Sequence, residues 1–404
     1  MSISHKKYGN VLFVNCPGLK VTQVSAWYRA GSVFDPKGKK GLAHMAEHVL
    51  LRGTKKQPEA LVFFETLENN GILSDAETFK EMTRISYTQQ PNKTLVALSL
   101  LLDNVLTPHF TDQDLEKEKE TLALELMQYV ASDAFQTGME LLYGKRHPYT
   151  LTVGGDIDEI KKITVEDIHD YKINFQPKEQ LNLLIIGDKL EERSLIKEIR
   201  DRGAWFKTAP DQPTIKPPTK TDKLVYLVDK RSDDLSELYV FIPTIPLHAS
   251  IKERMAIVLL IESLAGNLTS ALNNKLREEN KFLYSTETER DYFENAGYIK
   301  IYLVIPKNKV DEVFEIINKI IKEIGSNITE AELNKFRSLY TTRTLQNITD
   351  VNVLSSWYGV DMTLKAPIIS PTEYLEELKK ITLKDIKNCA DRYFNREHIA
   401  VVLE

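Results

Sequence analysis

The chain has 404 residues, of which 42% are hydrophobic and 27% charged, a composition typical of a globular protein with about two to four domains. Its 53 basic and 58 acidic residues are mixed along the chain and give a formal net charge of −5, which argues against a nucleic-acid partner. Neither a signal-peptide core nor a run of about 18 apolar residues occurs, so we expect no membrane span and a cytoplasmic location.

The two cysteines, Cys16 and Cys389, lie near opposite ends of the chain and form no metal-binding motif. They could pair with each other, but two buried free thiols are the favoured interpretation. This interpretation agrees with the reducing environment of the cytoplasm.

The predicted elements mix strands with long helices. Stretches rich in β-branched and aromatic residues predict strands, and apolar residues at helical spacing predict helices. In chain order, the predictions are a strand at 21–33, a helix at 41–54 that ends near Gly53, a helix at 111–130, strands at 238–245 and 297–306, and a helix at 309–325 that stops at Gly325. Because strands and helices do not alternate regularly, the order favours an α+β fold over a doubly wound sheet.

A proline-rich stretch divides the chain. Residues 207–223, KTAPDQPTIKPPTKTDK, contain four prolines and almost no apolar residues, which predicts an extended, semi-rigid linker. The predicted domains are therefore an N-terminal domain at 1–206 and a C-terminal domain at 224–404.

The two halves contain a repeated sequence. EIKKITVEDI at 159–168 returns as ELKKITLKDI at 377–386, with seven of ten positions identical, so position 377 corresponds to position 159. In each copy a threonine, Thr164 or Thr382, precedes an aspartate by three positions, the pattern of a capping box that begins a helix. An apolar run that predicts a buried strand follows each copy. We therefore predict two homologous α+β units, each a mixed or antiparallel sheet packed with helices, that arose by internal duplication.

The stretch GLAHMAEHVLLRGT (41–54) contains two histidines and a glutamate within five positions. His44 and His48 are four positions apart, so both imidazoles lie on one helix face and can reach one metal ion. Glu47 lies beside this pair, where a carboxylate can take a proton from water that a zinc ion holds. The alternative is an ordinary helix with a chance pair of histidines. The apolar surroundings favour a metal, because buried polar groups need partners.

Two histidines are too few ligands for a metal, and the predicted helix at 111–130 offers further ones. Glu118 and Glu125 are two helical turns apart, so they point the same way from the edge of an apolar stripe. Glu116 and Glu120 point elsewhere and are expected to be solvated. From the residues alone, Glu118 and Glu125 are either a functional pair or the ordinary acidic border of that stripe.

The histidine–glutamate motif and the residues around it resemble a known family. The order H-x-x-E-H is the inverzincin signature, and residues 28–54 are similar to the pattern of the pitrilysin-type zinc metallopeptidases, which include mitochondrial processing peptidase. In that family the third zinc ligand is a glutamate at a characteristic distance along the chain from the second histidine, and Glu125 stands at that distance from His48. The resemblance implies one Zn²⁺ per chain, bound by His44, His48 and Glu125, with Glu47 as general base and Glu118 in support.

Two further segments resemble parts of that family. Residues 69–83 are similar to the edge strand that pairs with a peptide substrate, which implies that Asp75, Ala76 and Thr78 bind substrate; Asp75 stands where the family has asparagine. Residues 264–285 are similar to a segment whose arginine and tyrosine meet the substrate near the scissile bond, and Arg277 and Tyr284 have the matching spacing of seven. Without the resemblance, Arg277 and Tyr284 would be a solvated arginine and a packed tyrosine.

The resemblance implies a zinc-dependent endopeptidase that hydrolyses short or unfolded peptides inside a chamber formed by a dimer. A homodimer is favoured over a heterodimer, because this chain carries both the zinc motif and the arginine–tyrosine pair. In the register of the repeated sequence, the H-x-x-E-H residues correspond to Glu262, Ala265 and Gly266, so the second copy has lost the motif. The alternatives are a non-catalytic scaffold and a zinc-dependent peptide-binding subunit.

Overall fold

A computed structural model describes residues 3–128, 133–207, 213–218, 225–229, 234–283, 286–394 and 399–403. The chain divides into two compact units, which are described separately. Unit 1 comprises Met1–Val130, Leu151–Thr214 and Asn347–Thr372, and unit 2 comprises Ala131–Thr150, Ile215–Gln346 and Glu373–Glu404. Among the described residues, no helix has the length and apolar character that crossing a membrane requires.

Unit 1 contains a six-stranded sheet. Its strands are β1 (Ser4–Tyr8), β2 (Val11–Asn15), β3 (Thr22–Tyr28), β4 (Leu73–Thr78), β5 (Thr83–Gln89) and β6 (Asn182–Gly187). Their order is β1-β2-β6-β3-β5-β4, in which only the β2–β6 pair is parallel. The helices are α1 (Leu42–Leu50), α2 (Ala60–Asn69), α3 (Thr94–Leu106), α4 (Asp112–Gln128), α6 (Ile157–Ile160), α7 (Val165–Phe175), α8 (Glu192–Asp201) and α12 (Val351–Thr363). The central strand β3 is buried along its whole length, as its apolar and β-branched residues predict.

Unit 2 contains a five-stranded sheet. Its strands are β7 (Val225–Asp229), β8 (Leu235–Pro243), β9 (Thr286–Tyr292), β10 (Gly297–Pro306) and β11 (Ile399–Leu403). Their order is β7-β11-β8-β10-β9, in which only the β7–β11 pair is parallel. The helices are α5 (Asp133–Tyr143), α9 (Ile251–Leu264), α10 (Val310–Asn327), α11 (Glu330–Asn347), α13 (Pro371–Leu378) and α14 (Leu383–Tyr393), of which α11 and α13 extend slightly into the unit 1 ranges.

The two sheets confirm the predicted duplication and the α+β class. Strands β2-β6-β3-β5-β4 and β7-β11-β8-β10-β9 have the same order, with the parallel pair at the same end of each sheet. The predicted capping boxes are both present: Thr164 caps α7 and Thr382 caps α14, each through the backbone N–H of the aspartate three positions later.

The units are not continuous in sequence, which differs from the predicted domains at 1–206 and 224–404. Helix α5 comes from the N-terminal half but packs on β8 and β11 in unit 2. Helix α12 is its equivalent in the second repeat, where Val351 corresponds to Asp133, and it packs on β3 and β6 in unit 1. The two repeats therefore exchange equivalent helices. Residues 208–212 and 219–224, at the predicted linker, lie outside the described residues.

Each exchanged helix approaches its sheet through a glycine. In α12, Gly359 lies against the indole of Trp27 on β3, and a Cβ added there would overlap the ring. In α5, Gly138 lies in the same way against the ring of Phe241 on β8. A glycine inside a helix is unfavourable by propensity, so packing against an aromatic ring explains both positions.

Two predictions about element ends need correction. Helix α10 does not stop at Gly325 but continues to Asn327, and the missing side chain of Gly325 leaves room for Ala390 of α14. Helix α1 ends at Leu50 rather than near Gly53. The two cysteines, Cys16 and Cys389, are buried free thiols, as predicted.

We predict that Gly359→Ala destabilises the protein although alanine is the better helix former. The added methyl group has to displace the buried ring of Trp27, and overpacking of this kind costs about 1–3 kcal/mol. Chemical denaturation measures the change. Ser356→Ala on the same helix is the control and should change the free energy of unfolding by less than about 0.5 kcal/mol. A stabilised Gly359→Ala variant would contradict the proposed reason for the glycine.

Candidate metal centre

Helix α1 is fixed at its N-terminus by the carboxylate of Asp35, a half-buried residue. Gly41 precedes the helix with a φ of 92°, a conformation that favours glycine. The side chain of Asp35 accepts hydrogen bonds from the backbone N–H groups of Gly41 at 2.7 Å and Ala43 at 2.8 Å. Burial raises the pKa of Asp35 to about 7, while the N–H groups act in the opposite direction. These bonds satisfy free donors of the first turn and set the direction in which α1 presents its side chains.

The two histidines of α1 and one glutamate of α4 converge on a single point. The Nε2 atoms of His44 and His48 are 3.3 Å apart. Glu125 lies 3.8 Å from His44 Nε2 through Oε1 and 3.4 Å from His48 Nε2 through Oε2. Tetrahedral zinc bonds of about 2.0–2.2 Å place ligand atoms about 3.3–3.6 Å apart, so the observed spacings are close to those that a zinc ion requires.

The donor chemistry also suits a metal. Within the described ranges, His44, His48 and Glu125 are the only group of three such side chains whose ligand atoms approach one another this closely. Burial, followed by the neighbouring His48, lowers the pKa of His44 to about 4, so this imidazole is neutral at pH 7 and can donate its lone pair. Imidazole nitrogen and carboxylate oxygen are ligands that zinc accepts readily.

A second carboxylate orients one of the histidines. Glu118 Oε2 lies 2.9 Å from His48 Nδ1, the ring nitrogen that faces away from the convergence point. Burial lowers the pKa of His48, but the hydrogen bond to Glu118 and the nearby carboxylates raise it, and the net shift is upward. Arg52 donates to Glu118 Oε1 at 3.1 Å and also lies 3.4 Å from Asp114. A ligand histidine commonly has such a partner, which fixes its tautomer and ring orientation.

Glu47 lies next to the three converging side chains and is not one of them. Its Oε2 is 3.9 Å from His44 Nε2 and accepts a hydrogen bond from Thr78 Oγ1 at 2.9 Å. Burial raises the pKa of Glu47 to about 7, although His48 and the bond from Thr78 act in the opposite direction. A carboxyl group with a pKa near 7 can both accept and release a proton at neutral pH.

The predicted substrate strand is at the edge of the unit 1 sheet. Strand β4 pairs with β5, and most of its residues are exposed. Asp75, which replaces the family asparagine, forms an ion pair with Arg84, and the same guanidinium lies 3.0 Å from Glu77. Arg84 therefore offsets acidic charge on this strand. Ala76 is half-buried, whereas Thr78 is buried and contacts Glu47.

The predicted arginine–tyrosine pair belongs to unit 2. Arg277 lies in a π-helical turn, Asn273–Glu279, and its Nε is 3.5 Å from Glu278. Tyr284 lies outside the described residues. The roles of both residues therefore stay predictions.

Unit 2 has an ion pair at the equivalent of the metal centre. In the register of the duplication, Glu262 on α9 corresponds to His44 and Arg343 on α11 corresponds to Glu125, and the guanidinium bonds the buried carboxylate. Arg343 also donates to the carbonyl of Gly266 at 3.3 Å, and a side chain at position 266 would overlap Glu262. The guanidinium provides there the positive charge that a metal ion would provide between α1 and α4.

Sequence reasoning did not identify the roles of Asp35 and Arg52. Asp35 comes six positions before its N–H partner Gly41, too far for a capping pattern in sequence. Arg52 lies in the same segment, 41–54, as the two histidines, but its partner Glu118 is 66 residues away. A basic residue one turn after the second histidine was the available signal.

An H-x-x-E-H helix and a third candidate ligand from a second helix, combined with two duplicated α+β units, define a metallopeptidase fold of the inverted zinc-motif class. Family models identify it further: the model "Insulinase (Peptidase family M16)" matches residues 10–143, and the model "Peptidase M16 inactive domain" matches residues 162–340. The chain belongs to peptidase family M16, the pitrilysin-type metallopeptidases.

Similar proteins have different descriptions. An uncharacterized zinc protease of Mycobacterium leprae is 22% identical over 97% of this chain and 89% of its own, and the mitochondrial-processing peptidase subunit beta of Dictyostelium discoideum is 21% identical over 92% and 81%. A relative from Helicobacter pylori, 23% identical over 89% and 83%, is described as a non-peptidase homolog. A solved structure described as a peptidase M16 inactive domain, from Pseudomonas fluorescens, has a TM-score of 0.88 at 18% identity and covers 100% of this chain and 98% of that one. The last comparison concerns the fold alone.

We predict that Glu118→Gln weakens zinc binding although the three ligand residues are unchanged. The amide cannot stabilise the bound His48 as a carboxylate does, and loss of such a partner typically costs about 10–100-fold in metal affinity. Competition with a chromophoric chelator measures the affinity. Glu116→Gln on the same helix is the control, because Glu116 is exposed and pairs with Lys119. Equal affinities for the two variants would show that Glu118 does not support the ligand.

Proposed function

We propose that this protein is a zinc-dependent endopeptidase that hydrolyses short or unfolded peptides. One observation carries the proposal: His44, His48 and Glu125 converge at spacings that fit zinc, with the carboxylate of Glu47 directly beside them. A scaffold has no chemical need for this complete set, and the names of zinc-protease and processing-peptidase relatives support the same activity.

The residues of the centre have distinct parts in the proposed reaction. A zinc ion bound to the two histidines and Glu125 would polarise the scissile carbonyl and make water more acidic. Glu47 takes a proton from the attacking water and passes it to the leaving amine, for which its position beside the ligands is suited. Glu118 holds the ring of His48 in one orientation.

The exposed edge strand β4 provides a means of holding the peptide. Its unpaired edge can bind an extended chain by β-strand addition, in which backbone hydrogen bonds give affinity without a strong side-chain preference. Arg277 or Tyr284 is proposed to donate to the scissile carbonyl oxygen as negative charge develops there. A donor of this kind contributes roughly 2.7–4 kcal/mol to transition-state stabilisation.

We propose further that two chains form a cytoplasmic homodimer that encloses the peptide, with Arg277 and Tyr284 of one chain acting at the metal centre of the other. The presence of the zinc motif and of Arg277 in a single chain supports a homodimer. The relatives named as a beta subunit support the alternative of a heterodimer with a related chain.

A second candidate function is zinc-dependent peptide binding without turnover. It is favoured by the relative described as a non-peptidase homolog and by Asp75, which cannot donate a hydrogen bond to a substrate carbonyl when it is ionised. The pairing of Asp75 with Arg84 reduces the weight of the second argument, because the guanidinium offsets the carboxylate charge.

The first test is peptide hydrolysis by the full chain and by Glu47→Gln. We expect cleavage of a mixed peptide pool that a chelator stops and added zinc restores. Glu47→Gln should retain zinc and lose about 10²–10⁴-fold in rate, because the amide cannot accept the proton. Mass spectrometry of the products measures cleavage, and Glu65→Gln on the exposed surface of α2 is the control. A wild-type protein that binds zinc and cleaves nothing would favour peptide binding without turnover.

The second test is complementation between two inactive variants. If each active site in a homodimer combines Glu47 of one chain with Arg277 of the other, Glu47→Gln mixed with Arg277→Ala forms some dimers with one intact site. The mixture should therefore recover activity that neither variant has alone, after subunit exchange confirmed by native mass spectrometry. Mixed dimers without recovered activity would exclude a site shared between two copies of this chain.

A further inference from the structure

Thr78 differs from the other residues of β4. The residues from Leu73 to Glu77 are exposed or half-buried, whereas Thr78, the last residue of the strand, is only 8% exposed. Side chains alternate between the two faces of a strand, so Thr78 points to the face opposite Glu77. On that face β4 packs against α1, the helix that carries the metal ligands and Glu47.

The hydroxyl of Thr78 is committed to one partner. Thr78 Oγ1 donates to Glu47 Oε2 at 2.9 Å, and both residues are buried. A threonine hydroxyl has a single hydrogen, so while it donates to Glu47 it cannot donate to a substrate carbonyl. The predicted role of Thr78 in substrate binding therefore stays a prediction for its backbone, because its hydroxyl hydrogen is used by Glu47.

The same bond restricts the carboxylate of Glu47. The χ torsions of a glutamate allow its carboxylate several orientations, and the contact with Thr78 selects the one whose Oε2 lies 3.9 Å from His44 Nε2. Oε2 has two lone pairs, of which Thr78 uses one, and Oε1 has two more. The carboxylate can thus be held by the strand and still accept a proton from water on the ligand side.

We propose that Thr78 is a positioning residue for Glu47: its hydroxyl holds the carboxylate beside the metal ligands and does not contact the peptide. The inference rests on the proposed function, in which Glu47 is the general base. It also gives β4 two separate roles. The exposed edge holds substrate through its backbone, and the buried end of the strand orients Glu47 of α1.

Steady-state kinetics of Thr78→Val and Thr78→Ser test the proposal. Valine keeps the size of the side chain and removes the hydroxyl, so kcat should fall by about 10–100-fold, as expected when a reacting group is misplaced. KM should stay within about threefold, and serine should restore at least half of kcat. The matched control is Thr88→Val on β5, whose hydroxyl accepts from Gln23 and not from the metal centre.

Three kinetic outcomes would overturn the proposal. A rise in KM that equals or exceeds the fall in kcat would assign Thr78 to substrate binding. Equal losses in Thr78→Val and Thr78→Ser would show that the methyl group matters and the hydroxyl does not. An unchanged kcat in Thr78→Val would show that Glu47 needs no such partner.

A crystal structure of each variant separates this inference from the proposed function. In Thr78→Val the carboxylate of Glu47 should move by at least about 1 Å relative to the imidazole of His44, while in Thr78→Ser it should stay in place. This readout needs no turnover, so it decides the role of Thr78 even if the wild-type protein cleaves no peptide. An unmoved Glu47 in Thr78→Val would overturn the inference.

Discussion

The centre depends on one electrostatic constraint: the ionisable side chains that α1 and α4 bring together need partners that compensate their charge. Nitrogen–oxygen distances of 2.9–3.9 Å link two imidazoles with three carboxylates, of which Glu47 and Glu118 are buried and Glu125 is half-buried. A buried charge is costly unless a partner compensates for it. Arg52 compensates for Glu118, and a metal ion is the partner that the convergent ligand atoms fit. Unit 2 meets the same constraint at the equivalent place with its own cation, where Arg343 bonds the buried Glu262.

This difference describes how the two repeats diverged. Both retain the strand order, the parallel pair and the capped helix after the repeated segment. At the helix pair that forms the centre, one repeat has side chains that can bind an external cation, and the other has a cationic side chain, Arg343. The absence of a side chain at Gly266, the position equivalent to His48, agrees with this difference, because a Cβ there would overlap Glu262. The duplicated fold thus offers buried acidic charge two kinds of cationic partner, a metal ion in unit 1 and an arginine in unit 2.

Much of the fold and part of the centre could be predicted from sequence, for a physical reason. Helix and strand periods act over a few residues, so the spacing of His44 and His48 determines that their side chains share a face. The capping boxes at Thr164 and Thr382 are equally local and were predicted correctly. Helix geometry left Glu118 and Glu125 as candidates on another helix, and the resemblance to a family then selected Glu125 as the third ligand. The two compact units are not continuous in sequence, unlike the predicted domains at 1–206 and 224–404. The exchange of helices between the repeats leaves no local pattern in the sequence from which it could be predicted.

The sequence by itself determined the pair of histidines, the position of Glu47 beside them, the α+β class and the duplication, since all of these follow from short-range periodicity or from direct repetition. Only the tertiary structure decided which partners surround the centre. Thr78 and Arg52 reach Glu47 and Glu118 across 31 and 66 residues, and Gly359 reaches the ring of Trp27 from the other half of the chain. Contacts at such separations depend on how helices and strands pack, which the local pattern of either segment does not encode.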